Sequence, residues 1–489
     1  RSNVLFQPQF RMAETSAFVQ DDWRVRPWLT LNLGLRYDVF TPIREKQNKQ
    51  ANFDPASLSL LIAGVSTSRT LGVKTDYNNL APRLGFAATI RKDWVVRGGF
   101  GISYYPGDIQ GFIGNGNPPF VFGFSALLRP LSAGLPAPVA VDVNTIATNP
   151  NVTGLSYRPP DFRPAPIYQT NLFVQRQLGS NVLSVGYVGQ FGRDLLTALD
   201  LNRPDPVGPV APGTAAPAFV YRTRLPFVTS IGKTFNGGRS NYNAMQVSFI
   251  RRYNAGLSFN ANYTWAHGLS NVINPSGSTN PFGLLARNLD YDYGSTDIDI
   301  RHRIAFSASY ELPFGKTMTG GKALLLKGWQ VNTIAYYQSG QPFTVTESIS
   351  PGGAYGINLP NVTSDRPNVA ASYSVSNPSL SQWFNTAAFG APALGTVGGE
   401  GRNELRGPHD RRWDVSFFKE FHIKEALKLQ FRTEIFNVTN TANFAVPNST
   451  IVGYGANGAP LTTNGFGTIS ATAVNEIPRQ FQFALKLLF

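Results

Sequence analysis

Charged side chains that alternate with apolar ones are the residues of this chain best placed to do chemistry. Arg301, Arg303 and Glu311 occupy one parity of a segment whose other parity is Ile304, Phe306, Ala308 and Tyr310. Lys428, Arg432 and Glu434 alternate in the same way with Leu427, Leu429, Phe431 and Ile435. A period of two puts each charged set on one face of an extended strand. From there it can pair internally, contact a domain lying against that face, or line a solute path. Charge turned toward lipid costs roughly 2–4 kcal/mol at the bilayer midplane. If these strands cross a membrane, Arg301, Arg303, Glu311, Lys428, Arg432 and Glu434 are therefore expected to face a lumen. Arg412, Lys486 and Asp414 share that parity, and mutual pairing is the simplest use of the whole set.

Other chemistries find little support. The four histidines, His267, His302, His409 and His422, stand on separate segments, and no nucleophile elbow or paired-histidine zinc motif occurs. The stretch GKTMTGGK superficially resembles a phosphate loop, but Gly321 stands where lysine is required, and it reads better as a glycine-rich turn. Asp290, Asp292, Asp297 and Asp299 have the chemistry of calcium ligands, yet Gly294 falls where a ligand is needed and no glutamate closes the loop. Pairing of Asp297 or Asp299 with Arg301 or Arg303 is the preferred reading. No enzymatic activity and no cofactor or metal is expected.

The composition narrows the class. The 489 residues include 12% aromatics but only 15% charged residues, against about a quarter in soluble proteins. This excludes a coiled coil, a disordered chain and an ordinary cytosolic enzyme. With no cysteine there is no disulfide framework. The net charge of +14 is spread without a basic run, and the arginines alternate with lipid-type side chains, so nucleic acid is not an expected partner.

Alternation recurs along the chain. In residues 29–38, Leu29, Leu31, Leu33, Leu35 and Tyr37 oppose Thr30, Asn32, Gly34, Arg36 and Asp38. The pattern predicts about thirteen strands, near 15–26, 28–40, 79–91, 93–105, 167–178, 180–191, 241–253, 255–268, 299–312, 327–339, 409–421, 425–438 and 478–489. Short turns and long Gly/Pro/Asn-rich stretches alternate between them, with 313–326 the longest of the turns. A soluble sandwich has no reason to collect its long loops at one end, and no 40–50-residue repeat marks a propeller. An all-β antiparallel transmembrane barrel of the outer membrane does, with short periplasmic turns, long external loops and interfacial aromatics such as Trp23, Trp94, Tyr104, Trp265, Trp329 and Trp413.

The last segment, RQFQFALKLLF, places Phe481, Phe483, Leu485, Leu487 and Phe489 on one face. It resembles the C-terminal signal read by the barrel-assembly machinery. The stretches TSAFVQDDW (15–23), LTLNLGLRYD (29–38), NNLAPRLGFA (78–87), SNYNAMQVSF (240–249), DIRHRIAFSASYELPFG (299–315), GWQVNTIAYYQSGQPF (328–343) and RGPHDRRWDVSFFKEF (406–421) complete an ordered set. Together they are similar to the barrel of Oar-like TonB-dependent outer-membrane receptors of acidobacterial type. The resemblance implies passage of a large or scarce solute, a plug and a carboxypeptidase-regulatory-like domain upstream, and TonB, lipopolysaccharide and outer-membrane lipid as partners. An adhesive or structural barrel working through its long loops is the alternative.

Parity adds an expectation about extent. The last strand descends to the periplasm, and counting back makes the first one descend as well. A complete barrel has an even strand number with both ends inside. Residues 1–489 are thus expected to be the C-terminal part of a barrel of about 22 strands, with roughly nine strands preceding them. If Phe489 belongs to the assembly signal, deleting it should lower the amount of full-length protein in the outer membrane, scored by membrane fractionation; undiminished surface display would contradict that role.

Overall fold

The computed structural model describes residues 2–4, 8–107, 117–123, 152, 154–202, 208–209, 211, 224–272, 288–315, 317–348, 366–393, 395–423, 427–455, 458–474 and 476–489. Thirteen long strands form one antiparallel sheet: β1 Glu14–Arg26, β2 Leu29–Phe40, β3 Leu80–Arg91, β4 Trp94–Tyr105, β5 Ala165–Leu178, β6 Asn181–Asp200, β7 Ser230–Asn254, β8 Leu257–Ser270, β9 His302–Glu311, β10 Trp329–Gln338, β11 Asp410–His422, β12 Lys428–Phe436 and β13 Gln480–Leu488. Each pairs with its sequence neighbours, so the sheet is an unbroken meander whose outer members are β1 and β13. Tight turns close one end. At the β7–β8 turn, Ala255 (φ 53°) and Gly256 (φ 80°) both lie in the left-handed region, and a Cβ on Gly256 would sit 2.9 Å from the Glu311 carbonyl.

The register separates two faces. Phe259, Ala308, Thr333, Val415, Ile435 and Phe481 stand opposite one another across six strands. One residue away, Ser258, Ser309, Asn332, Ser416, Glu434 and Gln482 form a row on the other face. The apolar face is bare: Phe483 is 66% and Leu485 68% exposed. An apolar surface of this extent is a membrane-contacting surface. Aromatics edge it at both ends. Trp23, Trp94 and Trp329 lie near the short turns, whereas Tyr37, Tyr104, Trp265 and Trp413 lie toward the long connections. Ten residues of strand separate Trp94 from Tyr104. That is roughly 34 Å of strand, or about 26 Å of depth at a tilt of about 40°, matching the apolar band of an outer-membrane barrel.

Hydrophobic cores occur instead beyond the long-connection end. One contains Phe53, Leu60, Val152, Leu155, Leu225, Val228 and Ile231; the other contains Phe343, Val345, Phe384, Ala388, Phe389, Leu405, Ile451 and Phe466. Several expectations change here. The stretch expected as a loop over 192–240 begins and ends as strand, because β6 runs to Asp200 and β7 starts at Ser230. A register shift at Gly192–Leu195–Leu196 bends the pair, and Gly154–Tyr157 adds a short parallel strand along Ser230–Lys233. At 25 residues, β7 far exceeds the roughly 9–11 needed to cross the hydrocarbon. Strand β9 begins at His302 rather than 299, which leaves Arg301 just outside it, and Phe489 follows the end of β13. The expected turn at 313–326 contains a helix, α1, at Gly320–Leu326.

The faces generate a test. Phe483→Arg should cost about 2–4 kcal/mol in folding titrations into lipid, while Gln482→Arg should cost well under half as much. The reverse order would contradict the register.

Candidate functional site: the polar face and its cap

The polar face carries the charged residues singled out by alternation, apart from Arg301. Lys428, Gln430, Arg432 and Glu434 of β12 share it with Glu420 and Phe418 of β11. Arg432 Nε donates to Gln430 Oε1 (2.5 Å), and Gln430 Nε2 donates to Glu420 Oε1 (2.9 Å). Lys428 lies 3.9 Å from Glu420 on the same carboxylate's other oxygen. The Arg432 guanidinium also lies over Phe418, 4.5 Å from the ring centre. Glu311 accepts from the Tyr253 hydroxyl (2.7 Å), and Arg412 pairs with Asp414 (2.9 Å). Arg303 and Glu434 lie on this face with no ion-pair partner among the described residues.

Further along the same face, an open depression between β4 and β8 is lined by Arg97, Phe173, Gln175, Gln246 and Thr264. Arg97 stacks over Phe173 at 5.3 Å. Glycine and neutral amides dominate the adjoining rows: Gln20, Gly34, Arg83, Gly101, Gln169 and Gln190 stand in one line. Such side chains present hydrogen-bonding groups along this face rather than an apolar surface.

At the long-connection end the four aspartates are each tied to arginine. Asp290 meets Arg239 (2.8 Å), Asp292 meets Arg366 (3.5 Å) and Asp297 meets Arg402 (3.2 Å). Asp299, whose side chain is 1% exposed, is shared by Arg301 (3.2 Å), Arg406 and His267 (3.2 Å) and accepts the Gly268 amide (2.8 Å). Arg301 is thus a cap residue rather than a strand residue. Burial alone pushes the Asp299 carboxyl up, but the Arg406 hydrogen bond, the Gly268 amide and the nearby positive charge together hold it below its ordinary value. Through this carboxylate the end of β8, the start of β9 and the segment around Arg406 become one unit.

Alternation gave no warning of Glu400, which lies in the second cap core. It is 2% exposed; Oε1 accepts the Val345 amide (3.0 Å), and Oε2 is buried without a hydrogen-bond partner among the described residues. Burial raises its pKa to about 8, the Val345 amide and Arg366 opposing and Glu404 and Glu347 adding to the shift. The signal that could have found it is faint: an acid flanked by glycines in the run GGEGRNE.

With this geometry in place, the family is plain. The outer membrane beta barrel domain model matches residues 1–482, and the chain belongs to that family and hence to the outer membrane. No curated protein matches it in sequence. Among solved structures it is similar to the outer membrane transporter YddB from Escherichia coli, at 12% identity, TM-score 0.46, covering 98% of this chain and 45% of YddB. The siderophore receptor PiuA from Acinetobacter baumannii gives 11% identity, TM-score 0.43, and coverage of 98% and 43%. The FrpB iron transporter from Neisseria meningitidis gives 12% identity, TM-score 0.43, and coverage of 98% and 46%. The chain thus spans less than half the length of each of these proteins.

The buried carboxyl sets a pH dependence. Glu400 titrates near 4.5 when unfolded and near 8 in the cap, so the folded cap retains a proton the open chain loses. The stabilisation is complete below the unfolded value, wanes as pH rises, and is gone above about 8. Amide exchange over 343–347 and 400–405, corrected for intrinsic rates, should therefore report easier opening toward alkaline pH, and Glu400→Gln should flatten that trend. Equal trends in both proteins would contradict the assignment.

Proposed function

We propose that this chain forms the wall and external cap of an Oar-like TonB-dependent receptor that moves a large or scarce solute across the outer membrane. The observation that carries this reading is the polar face: a row of glycine, glutamine and arginine residues crosses β1 to β6, and an open depression beside it is lined by Arg97, Gln175, Gln246 and Thr264. An interior of that kind belongs to a wide barrel, whose lumen must be blocked by a plug to keep the membrane sealed. In this reading Arg303, Glu311, Lys428, Arg432 and Glu434 face the lumen, where Arg303 and Glu434 remain available to a plug or a solute. The outer edges of β1 and β13 carry backbone groups that hydrocarbon cannot satisfy, and further strands close the barrel between them. TonB acts through the plug region, the barrel-assembly machinery recognises the signal in β13 and Phe489, and lipopolysaccharide surrounds the cap. An adhesive barrel is the second reading, favoured specifically by the two packed cap cores, which give the external surface a fixed shape.

Cells with and without the gene, each with and without TonB, separate the two when offered labelled sugars, peptides and metal chelates. The transport reading expects accumulation of one class to be lost on deleting either gene. Surface binding that persists without TonB, with no accumulation of any class, would favour adhesion.

A further inference from the structure

Five of the six turns at the short-turn end are brief: two residues each between β1–β2, β3–β4, β5–β6 and β7–β8, and five between β11 and β12. The β9–β10 connection is different, with seventeen residues and its own helix, α1. Its side chains are wrong for a solvated turn. Leu324, Leu325 and Leu326 are 57%, 69% and 45% exposed, and Phe314 and Met318 are exposed as well. Three consecutive leucines cover more than half the circumference of a helix. Between Leu312 and Gln330 the sequence contains Lys316, Lys322 and Lys327 and no acidic residue.

Two contacts seat α1 against the apolar face. Trp329 and Lys419 stand opposite each other in the apolar row that continues through Phe431 and Leu485. Trp329 Nε1 donates to the Leu325 carbonyl (2.9 Å), and Lys419 Nζ donates to the Lys327 carbonyl. Lys419 is the kind of charge that an apolar row does not tolerate unless its head reaches the interface; here it is 3% exposed and also lies 4.8 Å from the Phe421 ring. The helix therefore continues the lipid-contacting surface beyond the end of the strands.

We infer that α1 is an interfacial anchor: Leu324, Leu325 and Leu326 enter the acyl region of the periplasmic leaflet, and Lys322 and Lys327 engage phospholipid phosphates. Continuity with the apolar face and the one-signed charge of the connection select phospholipid as the occupant. The anchor fixes the depth of β9 and β10 in the membrane. The inference concerns the outside of the wall and holds whichever solute passes through the lumen.

Residues 1–489 contain no cysteine, so once any cysteine elsewhere in the full-length protein is replaced by serine, single cysteines here can be spin-labelled cleanly. The full-length protein with a label at 322, 325 or 326 is placed in nanodiscs of phosphatidylethanolamine and phosphatidylglycerol, and collisions with oxygen and with a water-soluble nickel chelate are compared. Labels at 325 and 326 should favour oxygen severalfold, and the label at 322 should favour nickel. Raising the phosphatidylglycerol fraction should deepen 325, and Lys322→Gln with Lys327→Gln should abolish that gain. Shielding of 325 and 326 from both reagents, as under a protein partner, or nickel access equal to that at 322, would overturn the inference, as would a gain that survives the lysine replacements. Heat-modifiable mobility on gels selects folded protein, and a label at Met318 gives a second reading if those at 325 and 326 impair folding.

Discussion

Hydrocarbon offers no partner to a backbone N–H or carbonyl, and this constraint shapes the rest of the molecule. Helices are one solution; this chain uses the other, a meander in which every inner strand is paired on both sides by its sequence neighbours. Antiparallel pairing keeps residues of one parity on one face, so a single alternation can serve lipid and lumen together. It also explains where the packed cores lie. A wall one sheet thick turns its apolar residues outward and has nothing to bury them against, so the compact clusters around Phe53 and Phe389 form in the connections above it.

Those connections are held by charge as well as by packing. Asp299 joins three segments of chain through Arg301, Arg406, His267 and the Gly268 amide. Nearby, a Cβ on Gly340 would fall 1.8 Å from the Gly407 carbonyl, so the two ends of the β10–β11 connection approach as closely as bare backbone permits. Removing Asp299, whose own side chain is buried, would leave the partly exposed Arg406 and Arg301 without their shared counter-charge and untie the three segments. The cap is therefore a preformed surface, which suits capture of a solute as well as contact with another surface.

Much of the wall was legible in the sequence because strand alternation is local: the faces of β8, β9, β12 and β13 follow from parity alone. The sharing of Asp299 among partners more than a hundred residues apart, such as Arg406, leaves no local trace. The same holds for the second cap core, whose members run from Phe343 to Phe466 and meet only through folding. The extensions of β6 and β7 were hidden because the bulge at Leu195 and the adjacent Gly237 and Gly238 break the period of two. Helix α1 was masked by the two glycines that open it, Gly320 and Gly321, although Lys322 to Leu326 is a run of good helix formers. Ile334 is instructive within the wall: like Phe173 and Phe418 it is apolar, yet its register with Ser307 and Asp414 puts it on the polar face.

That residue makes the central claim, that register and not side-chain hydropathy decides which face meets lipid, directly measurable. Cysteines placed singly at Thr333, Ile334 and Ala335 of the full-length protein can carry a small fluorophore in nanodiscs made with bromine-substituted acyl chains. Quenching should be strong at 333 and 335 and weak at 334. Strong quenching at 334 with weak quenching on either side would show that the faces of the wall have been assigned the wrong way round.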